Sequence, residues 1–251
     1  MVIKCLHSEK DYNVLTQVLE DVPLVLQNKA VFVLYGHNIK DFINPLIDLT
    51  NQTHLDSMFN LPISESRKFS RGDFLNKVYP VIAAIAPYSE YIEKSFSQSK
   101  ITRAIVSTLL NGLSWKESSR TCIVALTACA LEMPKTMYTM IEKVLLDFSK
   151  ISATKHVAVP MLEFLSTLIR LPEVFCSFID KSYFTVFAVT LPFTNPFKFD
   201  PYTVSLAHHV IIMWFLKCRL AFRPNFVSFI VNGLDNNILK SFEEGGFRRG
   251  Q

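Results

Sequence analysis

Apolar residues recur along this chain at three- and four-residue spacing, the period of helices with one buried face. The clearest stripe lies near the middle, in the helix predicted within Ile151–Arg170. There Ala158, Met161, Leu162, Leu165, Leu168 and Ile169 share one side, and Glu163, Thr167 and Arg170 fall opposite. Burying each such leucine contributes about 1.5–3 kcal/mol, more than any propensity term along the segment, so this helix has to pack on something. Two further helices are predicted over Gln98–Leu113 and Glu117–Met133, joined at Gly112–Trp115. In the second, Cys122, Leu126, Cys129 and Met133 form one stripe, while Ile123, Val124 and Leu131 lie elsewhere on the circumference. That helix is therefore expected to be covered on most sides.

Weaker periodicity fills in the rest. Lys10–Tyr35 is irregularly helical, with Pro23 placed to begin a second helix after Asp21. Val31–Tyr35 reads as helix, with a short buried strand as the alternative. Asn38–Leu49 is a helix with a kink or break expected at Pro45. Between about residues 50 and 73 the pattern fades, and Ser64–Lys68 is the expected exposed connector. A helix carrying Phe74, Leu75, Val78, Val81, Ile82 and Ile85 ends at Pro87, and a shorter one follows over Tyr88–Phe96. Later helices are predicted at Tyr138–Ile151, Ser182–Leu191, Tyr202–Leu220 and Asn225–Gly233, with residues 243–251 as a flexible tail. The fold class is all-α. Helices ending in proline recur at Pro87, Pro134, Pro172 and Pro224, at steps of 47, 38 and 52. That spacing suggests an α-solenoid of HEAT- or armadillo-like helical hairpins, one module over residues 1–242.

Composition narrows the chemistry. Hydrophobic residues make up 49% and charged residues 19%, as expected for helices packed on both sides. Three of the seven glycines fall in the last six residues, which leaves almost nothing for a phosphate-binding loop. The net charge of +4 is too mild for nucleic-acid binding. Lys217, Arg219 and Arg223 come nearest to a basic cluster, read as solvated side chains or as a patch for an acidic partner or membrane surface. The five cysteines form no CxxC pair and sit mostly in apolar patterns, which suggests a reducing, cytoplasmic setting. In that setting the sequon at Asn51 would have no glycosylation machinery to meet. No apolar run reaches the ~18 residues of a transmembrane segment.

No residue set calls for catalysis, cofactor or metal. His208 and His209 are adjacent and so diverge on a helix, whereas a helical metal pair needs i, i+4 spacing. A cysteine hydrolase would need a thiol of depressed pKa within reach of a histidine. The phenylalanines between Pro172 and Asp200 (Phe175, Phe178, Phe184, Phe187, Phe193, Phe197, Phe199) read as core, or in part as a groove for a partner helix. Trp214, Arg219, Phe222 and Arg223 are the candidate interaction residues.

The runs Ile151–Thr154, Val159–Leu168, Leu191–Pro192, Thr194–Pro196 and Leu206–Val210 carry a family resemblance, as do Met213–Phe215, Cys218–Leu220, Phe222–Arg223 and Phe226–Val227. They resemble the middle of the tuberin family, GTPase-activating subunits that work with hamartin to restrain the small GTPase Rheb. The resemblance is specific over Thr121–Phe242, looser over Phe69–Arg120 and faint before that. It implies a scaffold: a right-handed stack of helix pairs that holds the activating domain, hamartin and a second tuberin copy. Through that assembly the parent protein lowers growth signalling by the target-of-rapamycin kinase. It also implies a cytoplasmic protein recruited to the lysosomal surface. Nothing here matches the catalytic asparagine motif of the activating domain, so Rheb would be met only through that domain, and this chain is not expected to stimulate hydrolysis. No serine or threonine follows Arg248–Arg249, so no kinase site is carried over. The alternative drops the family and keeps the fold: a generic HEAT-repeat adaptor for a partner helix or acidic surface.

Overall fold

Several helices begin where short polar side chains or prolines stand at their first turns. The computed structural model describes residues 2–28, 39–51, 59, 69–89 and 98–246. Among these all regular structure is helical: α1 (Val2–Ser8), α2 (Tyr12–Leu26), α3 (Ile39–Asn51), α4 (Arg71–Ile85), α5 (Gln98–Gly112), α6 (Lys116–Glu132), α7 (Pro134–Phe148), α8 (Lys155–Leu168), α9 (Pro172–Phe175), α10 (Asp180–Thr190), α11 (Pro201–Lys217) and α12 (Arg223–Gly246). Asp11 caps α2 by accepting from the Asn13 and Val14 amides, and Ser70 caps α4 by accepting from Asp73. Asp200 caps α11, with Pro201 at its first position, where the missing N–H costs nothing. The prolines expected to end helices also start them: Pro134 and Pro172 open α7 and α9, and Pro224 lies in the first turn of α12.

The chain divides into two compact units, Met1–Met137 and Tyr138–Gln251. In the first, α4 is the enclosed element: Phe74, Leu75, Val78, Tyr79, Val81, Ile82 and Ile85 are all buried. It packs against α2, α3, α5 and α6. Positions 72, 76 and 79 look toward α6: Asn76 donates to the Glu117 carbonyl (2.9 Å) and accepts from Thr121 (2.8 Å). On another side Lys77 pairs with Glu20 of α2, and Phe74 meets Tyr12. Helix α6 keeps its predicted stripe, Cys122, Leu126, Cys129 and Met133, fully inside. It is not covered on most sides, however. Val124 and Leu131, opposite the stripe, are 52% and 54% exposed.

In the second unit α11 packs on α8, α10 and the 3-10 turn Leu191–Thr194, and α12 packs on that same turn. The predicted stripe of α8 is buried throughout, from Ala158 to Ile169. Phe178, Phe187, Phe193 and Phe199 are core, whereas Phe197 is exposed.

Several expectations are corrected. Helix α2 runs through Pro23 to Leu26, so that proline sits in the last turn, where it removes only the amide partner of Leu19. Pro45 does not break α3, which continues to Asn51. The expected connector of residues 50–73 overlaps helix at both ends, since α3 ends at Asn51 and Arg71 begins α4. Phe59 inside it is buried, with its ring 5.1 Å from Phe74 and 5.4 Å from Tyr12. Val31–Tyr35, Ser64–Lys68 and most of Tyr88–Phe96 lie outside the described residues. Helix α11 stops at Lys217 because Cys218 turns to an extended conformation. Helix α12 passes Gly233 and reaches Gly246, into the stretch expected to be tail. Gly233 is there for packing: a Cβ would stand 2.6 Å from Leu191 Cδ1.

The Asp200 cap carries a pH signature. Its carboxylate accepts from the Thr203 hydroxyl (2.7 Å) and amide (3.0 Å), and these bonds hold it below the usual carboxylate range. A depressed folded pKa contributes stability above the unfolded value that is lost as pH falls through the folded one. Asp200→Ala should therefore lower Tm at neutral pH. The gap to the parent should shrink as thermal melts are taken below about pH 4.

Candidate functional site

Three of the four candidate interaction residues, Arg219, Phe222 and Arg223, meet at the corner between α11 and α12. Cys218 and Arg219 are extended (ψ 150° and 141°), Leu220–Phe222 form one 3-10 turn, and α12 starts at Arg223. Arg223 fastens the corner: Nη2 donates to the Leu216 carbonyl at 2.7 Å, and the guanidinium lies 5.6 Å from the Phe215 ring. A cation on the last carbonyls of α11 also complements the negative end of its dipole. Arg219 lies 5.8 Å from the Phe222 ring and is exposed. Phe222 is half-buried against Tyr183, 6.4 Å away. Cys218 tucks inward and donates to the Phe215 carbonyl at 3.1 Å.

Trp214 does not belong to this surface. It is fully buried, its indole N–H donates to the Leu165 carbonyl (3.0 Å), and its ring stacks on Phe178 at 5.6 Å. It faces inward because Thr203, Ala207, Val210 and Ile211 turn the same side of α11 to the core. The outward side was overlooked. Tyr202, Ile212 and Leu216 lie on the opposite stripe at 61%, 57% and 57% exposure, and Leu220 at the corner reaches 75%. The signal was present: positions 202, 205, 209, 212 and 216 keep helical spacing, and no Asp or Glu occurs between Pro201 and Leu234.

Groups with catalytic potential are placed differently. His208 is exposed, its Nδ1 2.8 Å from the Val204 carbonyl. Among the described residues no three His, Cys, Asp or Glu side chains gather as metal ligands. Burial pushes the Cys5, Cys122, Cys129 and Cys218 thiols up, Cys129 to about 12, the opposite of an activated nucleophile. An open cleft of about 420 Å³ between α1 and α3 is lined by His7, Glu9, Lys10 and Asp48 beside Leu6 and Leu49. With a thiol reagent on native protein, exposed Cys176 should react first and half-buried Cys5 more slowly. Cys122 and Cys129 should react only after denaturant is added. Rapid native labelling of all five would contradict this packing.

Fold and site together define an all-helical protein with an apolar and basic outer corner. The family model for tuberin matches residues 1–221, and the chain belongs to the tuberin family. The match takes in the amino-terminal part, where the quoted motifs were faint. The chain is also similar to the Tuberous sclerosis 2 protein homolog of Schizosaccharomyces pombe, 25% identical over 250 residues. That alignment covers 92% of this chain and 18% of the relative, so the chain spans about a fifth of the relative's length.

Proposed function

We propose that this chain is a scaffold and interaction segment of a tuberin-like GTPase-activating protein that restrains Rheb and signalling by the target-of-rapamycin kinase. The observation that carries the reading is the family match over residues 1–221. Helices of hairpin length joined by short links support a HEAT-like solenoid, whose repeats offer extended surfaces rather than one reactive pocket. Its partners are hamartin and a second tuberin copy. Rheb is engaged by an activating domain separate from this segment, and the assembly works in the cytoplasm and at the lysosomal surface. The test is a pull-down of the 251-residue chain against hamartin and tuberin, with Rheb GTP hydrolysis followed in the same preparation. Binding without stimulated hydrolysis is expected. Hydrolysis stimulated by the purified chain would overturn the scaffold reading.

A further inference from the structure

We propose that the outward stripe of α11 and the corner that follows it dock on an anionic lipid bilayer, with Tyr202, Ile212, Leu216 and Leu220 entering the interface and Lys217 and Arg219 meeting lipid phosphates. Four large apolar side chains, each more than half exposed, follow one helix crest into the corner. Exposed apolar surface of this kind marks a contact. The sequence of the crest and corner is basic: from Pro201 to Leu234 there are three Lys and Arg residues and no acid. Two carboxylates flank it, Asp200 in the cap at the far end of α11 and Asp180 of α10, which accepts from Asn225 (3.5 Å) near Cys218, so the positive charge is concentrated at the corner itself. Arg223 is engaged in holding the corner, which leaves Lys217 and Arg219 as the exposed cations beside Leu216 and Leu220.

The shape favours a bilayer over an acidic helix from a partner protein. A partner helix lays its apolar face into a groove between elements, whereas these side chains stand on the crest of one helix, the most exposed of them at its turning point. Lys217 and Arg219 flank the most exposed apolar side chains, Leu216 and Leu220, so shallow entry of the corner keeps both charged heads at headgroup level while their stems lie along the apolar surface. Insertion stays peripheral. Among the described residues no single helix is long and apolar enough to cross a membrane. Pro201–Lys217 and Leu220–Asn237 are bent by 116° at the corner, and the inner face of α11 is already packed.

The inference does not depend on the scaffold reading, and a failed hamartin pull-down leaves it standing. Its test is sedimentation of the full 251-residue chain with phosphatidylcholine vesicles containing or lacking about 30% phosphatidylserine. Binding to the anionic vesicles is expected, weakening as salt rises from about 0.1 to 0.5 M. Each cation near such a surface contributes about fivefold, so Lys217→Gln with Arg219→Gln should lower partitioning about 30-fold. Leu216→Ser with Leu220→Ser should lower it at least tenfold. Val124→Ser with Leu131→Ser, also more than half exposed but on the other unit, should change nothing. Circular dichroism checks each variant's fold. Should the leucine variants unfold, Leu220→Trp replaces them, with a blue-shifted emission expected on the anionic vesicles alone. Equal binding to neutral vesicles, partitioning unchanged by the cation variants, or capture of an acidic amphipathic peptide without vesicle binding would each overturn the proposal.

Discussion

Trp214→Ala is expected to destabilise the second unit by about 3–5 kcal/mol in urea unfolding, the range for deleting a fully buried large aromatic. The indole is 0% exposed, stacked on Phe178 and edge-on to Phe175 (5.2 Å) and Tyr183 (6.1 Å). Its N–H serves a second purpose. Leu165 is one of the last four residues of α8, whose carbonyls lack intrahelical amides, and the indole from α11 satisfies that acceptor at 3.0 Å. The substitution therefore opens a cavity and strips a buried carbonyl at once. Trp214→Phe keeps a ring and so opens a smaller cavity while still losing the donor, and a smaller loss of about 1–3 kcal/mol is expected. A surface tryptophan would cost within about 0.5 kcal/mol, so an alanine variant that loses less than about 1 kcal/mol would return Trp214 to the exterior.

The second large effect is expected at Gly112. Three helices of the first unit converge on it, and a Cβ there would stand 2.5 Å from both Cys122 Sγ and the Tyr79 hydroxyl, and 2.6 Å from Tyr79 Cζ. Neither neighbour is a loose chain end: Tyr79 and Cys122 are buried at 2% and 0% exposure. Gly112→Ala overpacks this point, and a loss of about 1–3 kcal/mol is expected despite alanine's better helix propensity. Cys122→Ala removes one of the two contacts. The double variant should then lose less than the sum of the singles, read as a positive coupling in a double-mutant cycle. Strict additivity, or a stabilised Gly112→Ala, would mean that the three helices stand further apart.

How far the sequence reached depended on whether a signal was local. The stripes of α6 and α8 were legible because periodicity alone places Cys122, Leu126 and Cys129, or Met161, Leu162 and Leu165, on one side. What covers the opposite side is a tertiary matter. Ile123 found cover and Val124 did not, though both are apolar neighbours. Trp214 failed for the same reason. Helix α11 is apolar on both faces, so its pattern could not say which one would be buried. Arg219, Phe222 and Arg223 do gather at one corner, but through the extended residues at 218 and 219, which no periodicity announces. Phe59 was hidden because it falls in a stretch where apolar periodicity fades, and Gly233 looked like a stop signal until Leu191 was seen against it.

The enclosure of α4 also sets a timetable for synthesis. Two of its covers, α2 and α3, precede it in the chain and are waiting when it emerges, whereas α5 and α6 follow and are complete only at Glu132. At about 5–20 residues per second the ribosome needs roughly two to ten seconds to supply them. Until then Tyr79 and its neighbours have solvent where α6 will lie. A nascent chain paused in that interval is a sticky half-built domain, and chaperone capture is most needed there.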